Sequence, residues 1–189
     1  MAGLPHWSNS KAATEYWEPI FVNQFEVIIT PPSVITDNVD LLVEHVLTLT
    51  GLPELTPTDL VEQKYKFAKR SFGSAIPKDT IADLAIKFTV NLNDDNNMYI
   101  YNTLRAWGDL VYDPLTGRQG LKRDYVGEIY VGIANKEASI FREFKFTPVI
   151  PNGALTPLDL DYNSDKLYDI DAKFRADAWK ESRIGQINV

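Results

Sequence analysis

Cysteine is absent from this chain of 189 residues, and histidine occurs only twice. The lack of cysteine excludes disulfide frameworks, thiol nucleophiles and cysteine-based metal sites. His6 and His45 have no Cys, Asp or His partner at a recognised ligand spacing, so a packed or surface role explains them more simply. With so little histidine, a Ser–His–Asp mechanism is not expected.

Long apolar runs are also missing. No segment approaches the ~20 apolar residues that cross a bilayer as a helix. Met1 to Trp17 lack the basic region and apolar stretch of a secretory signal. We therefore expect a chain without a membrane anchor that folds in the cytosol.

Basic residues are in deficit: 19 Lys and Arg stand against 26 Asp and Glu, which gives a net charge of −7. Binding to nucleic acid through its phosphates needs clustered cations. An acidic chain of this kind is expected to repel DNA rather than hold it.

Alternation of apolar and polar residues is the strongest pattern that is present, and it predicts a mainly β fold. Strands are predicted at residues 24–30, 41–49, 60–72, 84–92, 125–134, 140–149 and 168–179. Seven strands bury their apolar faces best by closing or by stacking as two sheets. The sequence therefore predicts a β-sandwich or barrel.

One helix is predicted between the strands, from about Asn93 to Val111. Its apolar side chains recur at helical spacing on a single face: Ile100, Leu104, Trp107 and Val111. Asp94 and Asp95 suit the start of this helix, because short acidic side chains accept bonds from free backbone N–H groups. The alternative is a carboxylate pair of the kind that glycosidases use.

Charge is unevenly distributed along the chain. The segment around 60–72 carries a basic cluster of Lys64, Lys66, Lys69 and Arg70, whereas an acidic stretch runs from Asp159 through Asp161 to Asp171. The basic cluster suits a nucleic-acid patch, a solvated sheet edge or a subunit contact. We favour the subunit contact, because a homo-oligomer can place the basic segment of one copy against the acidic stretch of another. The acidic run lacks the ordered spacing of a calcium loop.

The order of these pieces resembles the tail tube proteins of contractile-tailed phages, which are related to the tubes of contractile injection systems and type VI secretion. The resemblance runs from Asn23 to Lys180 and rests on ordered segments. These are the opening strand Asn23–Ile29, the break Thr50–Pro53 before a long hairpin, the strand Ala85–Asp94 leading into a helix with Trp107, the loop with Thr116-Gly117, the strand from Tyr125, and Phe146–Pro151 leading through Leu158–Asp161 to a strand that closes at Trp179.

The resemblance implies a β-barrel-like subunit with a flanking helix and an extended hairpin arm, without catalytic residues, cofactor or metal. It implies hexameric rings that stack into a tube within the virion. Sheath, baseplate and tail-terminator proteins are the implied partners, and DNA passes through without specific binding.

Three regions are expected: an N-terminal arm at 1–22, the tail-tube domain at 23–181 and a C-terminal tail at 182–189. The N-terminal arm at 1–22 has no counterpart in the family. A baseplate tube initiator or a tail terminator is the alternative within the class. A monomeric β-barrel that binds a small ligand is the alternative outside it.

Overall fold

The computed structural model describes residues 22–36, 40–53, 60–73, 81–90, 98–134, 140–157, 161–163 and 165–183. The predicted mainly β fold is confirmed, with three helices and nine strands within these ranges. The helices are α1 (Asp40–Glu44), α2 (Tyr99–Val111) and α3 (Lys122–Tyr125). The strands are β1 (Phe25–Thr30), β2 (Val46–Thr50), β3 (Leu60–Tyr65), β4 (Ala68–Gly73), β5 (Ala82–Thr89), β6 (Gly127–Ala134), β7 (Ile140–Pro151), β8 (Asp169–Ala176) and β9 (Trp179–Arg183).

Seven of these strands form one open antiparallel sheet in the order β1-β6-β7-β8-β5-β2, with β9 added beside β7. Strands β3 and β4 form a separate hairpin. β1 and β2 stand at the two ends of the main sheet, so the sheet does not close into a barrel. The architecture is that of a β-sandwich made from a single folded-over sheet.

The sheet bends where β7 meets the last two strands. β7 pairs with β9 over Arg142–Phe146 and with β8 over Val149–Pro151, in one continuous register. Between these stretches the alternation of buried residues shifts by one position on both sides of the pairing. In β7 the next buried residue after Phe146 is Val149, and between β8 and β9 the next core residue after Ala176 is Trp179. Two residues at each of these points turn the sheet, so that side chains from both halves reach the same core.

Helix α2 covers this core with the face that the sequence predicted. Ile100, Leu104 and Trp107 are buried, together with Thr103. The Trp107 ring packs against Phe174 of β8, with centroids 5.6 Å apart, and its indole N–H donates to the Tyr125 carbonyl at 2.6 Å. Burial of a side chain of this size contributes much of the local packing energy.

The predicted strand at 41–49 is wrong in its first half, since residues 40–44 form the one-turn helix α1. Leu42 of this turn is fully buried in the core. Alternating and consecutive apolar residues overlap in this segment, so periodicity alone does not separate a helical turn from a strand.

The single strand that alternation predicted at 60–72 is also wrong, because the segment is a hairpin whose turn falls at Lys66 and Phe67. The extended hairpin arm that the resemblance implied is thereby confirmed. Two-residue hairpin turns usually contain Gly, Asn or Asp. None of these residues stands at this turn, so no local signal for it is present in the sequence. The paired carboxylates considered at Asp94 and Asp95 lie outside the described residues, as does His6.

Candidate assembly surfaces

The hairpin of β3 and β4, here called the arm, exposes every residue from Glu62 to Phe72 to solvent. Phe67 at its tip is 92% exposed, and Tyr65 and Phe72 are each about half exposed. Isolated two-stranded hairpins are only marginally stable in water. An arm with large aromatic side chains on the outside is therefore a surface suited to a partner.

All four predicted basic residues lie on the arm. Lys64 and Lys69 stand opposite each other across the hairpin, although like charges in that position are unfavourable. Glu62 relieves this repulsion through an ion pair with Lys69 at 2.5 Å. Lys66 lies over the ring of Phe67, 5.5 Å from its centroid.

The acidic stretch is only partly described. Asp159 lies outside the described residues, whereas Asp161 is exposed in a short turn. Its carboxylate accepts the backbone N–H of Asn163 at 2.9 Å, and between them Tyr162 is fully exposed. Within the described ranges no ion pair joins Asp161 to the arm, so the predicted contact between the two is not made within one chain.

Three strands of the main sheet have one edge that no other described strand pairs with. Among the described strands, β1 pairs only with β6, β2 only with β5, and β9 only with β7. Beside β1 and β2 lies an apolar cleft of about 300 Å³. Its lining residues are Val22, Gln24, Phe25, Leu49, Leu52, Val131 and Ile133. An open edge is a template for pairing with a further strand.

The outer face of β1, β6 and β7 carries an acidic group around a tyrosine. Glu26 and Glu143 are both opposite Gly132, beside which the Tyr130 ring lies. Burial raises the pKa of Tyr130 to about 12, assisted by its hydrogen bond to Glu143 and by the nearby charge of Glu26. Tyr130 therefore stays neutral at physiological pH and donates to a carboxylate.

Lys87 lies on the outer face of the other half of the sheet. Its ammonium group pairs with Asp169 at 3.0 Å, and Asp171 stands directly opposite across the strands. The hydrogen bond and charge of Asp169 raise the pKa of Lys87. This cation is therefore balanced by carboxylates on its own face.

A groove of about 480 Å³ runs between α2 and β8, walled by residues 151–157. Its floor includes the buried side chains of Leu104, Ala172 and Phe174. Arg105 on the helix contributes a cation to the groove, and its guanidinium donates to the Tyr101 hydroxyl at 3.4 Å. The Lys173 side chain lies on the opposite face of β8, because it alternates with the buried Ala172 and Phe174.

Gly108 lies on the groove side of α2, and no steric contact among the described residues requires a glycine there. A Cβ added there would meet no atom within 4 Å. By contrast, a Cβ at Gly127 would come within 2.6 Å of the Trp107 ring, so close packing requires that glycine. Glycine within a helix costs about 1 kcal/mol relative to alanine. The bare backbone at Gly108 thus opens the groove at the expense of helix stability.

No group of three or more potential metal ligands occurs among the residues that the structure describes. Over the same residues, no helix has the length and hydrophobicity needed to cross a membrane.

The groove and the aromatic tip of the arm were not predicted from the sequence. The groove joins three segments that are distant along the chain, so no local motif reveals it. The tip had one available signal, since Phe67 interrupts a run of lysines within a polar segment.

No protein-family model matches the sequence, and no curated protein matches it. Solved structures do match. The tube-terminating cap of the anti-feeding prophage is 12% identical, with a TM-score of 0.57 over 89% of this chain and 93% of that one. A chain of the PVC extracellular contractile injection system, from its extended sheath–tube complex, is 16% identical, with a TM-score of 0.54 over 94% and 99%. The PVC sheath/tube terminator is 13% identical, with a TM-score of 0.53 over 88% and 99%.

These likenesses cover nearly the whole of each chain, so they concern the complete architecture rather than one motif. They confirm at the level of fold the resemblance to tail tube proteins that the sequence predicted. The chain has the fold of the tube and tube-terminator components of contractile injection systems.

Proposed function

We propose that this chain is a structural subunit of a phage-tail-like tube, in which hexameric rings stack and the lumen conducts DNA. The observation that carries the proposal is the fold, which is shared over 88–94% of the chain with components of contractile particles. A structural role needs repeated contacts between copies, and the exposed arm and open sheet edges offer surfaces for them.

Ring closure in this proposal uses the two open edges of the half of the sheet that consists of β1, β6, β7 and β9. β1 and β9 bound the strands β6 and β7 on opposite sides. Pairing β1 of one copy with β9 of the next is a head-to-tail contact, which closes into a ring when the rotation permits. The arm then reaches out of the ring, where its cations meet the acidic surface of another copy.

The lumen in this proposal is lined by the outer face of the same half-sheet. That face carries three carboxylates against two ammonium groups: Glu26, Glu128, Glu143, Lys145 and Lys180. Lys145 pairs with Glu128 at 2.8 Å, so its charge is locally balanced. Phosphate contacts would hold DNA in place, and a wall on which carboxylates outnumber ammonium groups reduces that friction.

A tube terminator is the second candidate, and a specific observation favours it. Two of the matched structures are a terminating cap and a sheath/tube terminator. A terminator stops growth, so it forms single rings where a tube subunit forms filaments. Sheath and baseplate components are the expected neighbours in either case.

Electron microscopy of the purified protein over a wide concentration range tests both candidates. Stacked rings or filaments support a tube subunit, and discrete rings that never stack support a terminator. A strictly monomeric species at high concentration and moderate salt contradicts both candidates.

A further inference from the structure

We infer that the apolar cleft beside β1 and β2 is the docking site of residues 16–21 of the same chain, which insert the side chains of Trp17 and Phe21. The occupant is the stretch of sequence that directly precedes the described residues. This inference goes beyond the proposed function and does not depend on it, because the contact forms within one copy of the chain.

The cleft is a place where the hydrophobic core reaches the surface. Val131 is fully buried at the cleft, whereas the other lining residues that pack against the core are only partly buried by the part of the chain that the structure describes: Phe25, Leu49, Leu52 and Ile133. β1 and β2 are the end strands of the sheet, so no described strand pair joins the two halves of the sandwich here. Apolar side chains placed in the cleft would complete the core.

The size of the cleft suits a few side chains. At about 300 Å³ it lies at the lower end of the range of roughly 300–1,000 Å³ that sites for whole small ligands occupy. Tryptophan and phenylalanine offer the largest apolar surfaces per side chain, so two of them fill such a space with a short piece of chain.

The lining selects an occupant that has little charge. Gln24 is the single polar residue among the described residues that line the cleft. The arm is therefore a poor occupant, because its four cations would find no carboxylate there. Residues 16–21 read Tyr-Trp-Glu-Pro-Ile-Phe, in which Glu18 carries the only charge. This segment matches the apolar lining with three large aromatic side chains.

The position of Val22 favours this segment over one from a second copy. Val22 lines the cleft and is 96% exposed, so the chain enters the described structure at the rim of the cleft. Phe21 is adjacent to Val22, and Trp17 is separated from it by at most about 17 Å of extended chain. A short tether of this kind holds its segment at an effective concentration of about millimolar. A segment from another copy has to compete with that.

Tryptophan fluorescence of the full-length protein tests the docking. Subtraction of the Trp17→Phe emission from the parent emission isolates the signal of Trp17. Acrylamide should quench this signal several times less efficiently than it quenches N-acetyltryptophanamide, because a docked indole is shielded from solvent. The shielding should persist on dilution to a concentration at which sedimentation shows only monomer, since a contact within one chain does not depend on concentration.

A matched pair of variants on β2 locates the contact. Leu49→Asp places a carboxylate in the cleft, whereas Leu47 is 47% exposed and does not line it, so Leu47→Asp is the control. Leu49→Asp should weaken docking at least about tenfold, because an unpaired carboxylate is costly to bury. Trp17 then becomes accessible to acrylamide, and it stays shielded in Leu47→Asp. Circular dichroism checks that both variants are folded, and the parent protein decides the question if Leu49→Asp is not.

Three outcomes would overturn the inference. The first is a Trp17 that the parent exposes to acrylamide as fully as the free model compound. The second is shielding that disappears on dilution to monomer, which assigns the contact to a second copy. The third is shielding that survives Leu49→Asp in a folded protein, which places Trp17 elsewhere. Rings or filaments with an exposed Trp17 leave the proposed function standing, whereas a strict monomer with a shielded Trp17 supports the docking and contradicts the proposed function.

Discussion

The contact between Gly127 and Trp107 gives a sharp prediction about stability. A Cβ at Gly127 would lie 2.6 Å from Cζ2 and 2.7 Å from Cη2 of the indole, and 2.5 Å from the Thr30 carbonyl oxygen. Distances this short force neighbouring atoms to move. Overpacking of this kind costs about 1–3 kcal/mol, so Gly127→Ala should destabilise the fold by that amount.

The same geometry predicts a coupling between the two positions. Both indole atoms in the clash belong to the six-membered ring. Trp107→Phe replaces the two fused rings by a single shorter one, so no ring atom lies at those two positions. That substitution alone also loses the hydrogen bond to the Tyr125 carbonyl, a loss of about 0.5–1.5 kcal/mol together with a packing term. In the double variant the overpacking is relieved on the ring side only, because the Thr30 carbonyl remains in place. The two effects should therefore sum to more than the double variant costs.

Urea denaturation followed by circular dichroism measures all four proteins, and a double-mutant cycle isolates the coupling. For a chain of this size, each 1 kcal/mol corresponds to a shift of about 2–4 °C in Tm. Gly108→Ala is the matched control, since its Cβ meets open space and should raise stability by up to about 1 kcal/mol. Additive single effects, or a Gly127→Ala protein as stable as the parent, would refute the packing argument.

Three further predictions follow from the described contacts. Replacing residues 54–74, which contain the arm, by a short Gly/Ser linker should leave a folded monomer that forms no tubes, as sedimentation and circular dichroism would show; an unfolded product would place the arm in the core. Arg142→Ala should destabilise the fold by about 3–5 kcal/mol in urea denaturation, because the Glu181 carboxylate that it contacts at 2.6 Å is nearly inaccessible to solvent; a loss below 1 kcal/mol would contradict this. In an ultraviolet pH titration, Tyr130 should ionise only near pH 12, and Tyr130→Phe should remove that late step; an unchanged curve would argue against burial as the cause.

Prediction from the sequence was most accurate for strands with one face buried and the other exposed to solvent. β5 and β8 alternate almost perfectly between buried and exposed residues, so their period-two patterns could be detected without any tertiary information. Helix α2 was predicted for the same reason, from the spacing of Ile100, Leu104 and Trp107.

Tertiary context decided the features that the sequence did not predict. The turn at Lys66 and Phe67 lacks any residue that favours it, and the α1 turn is fixed by burial of Leu42. The break of the predicted strand 168–179 into β8 and β9 follows from the bend that it shares with β7. Of the predicted contact residues, the four cations lie on the exposed arm and Asp161 lies on a separate surface turn. A contact between copies of the chain depends on a second molecule, so the structure of one chain does not test it.

The covered edge of β8 has a consequence for pairing between copies of this chain. On the side away from β5, the Asp171 N–H donates to the Thr156 hydroxyl at 3.0 Å, and the Lys173 carbonyl accepts the Asn152 N–H at 2.7 Å. A foreign strand finds these backbone groups already occupied, and pairing there first requires displacement of the loop. Misassembly through this edge is thereby suppressed, which restricts sheet-to-sheet polymerisation to the edges that remain open.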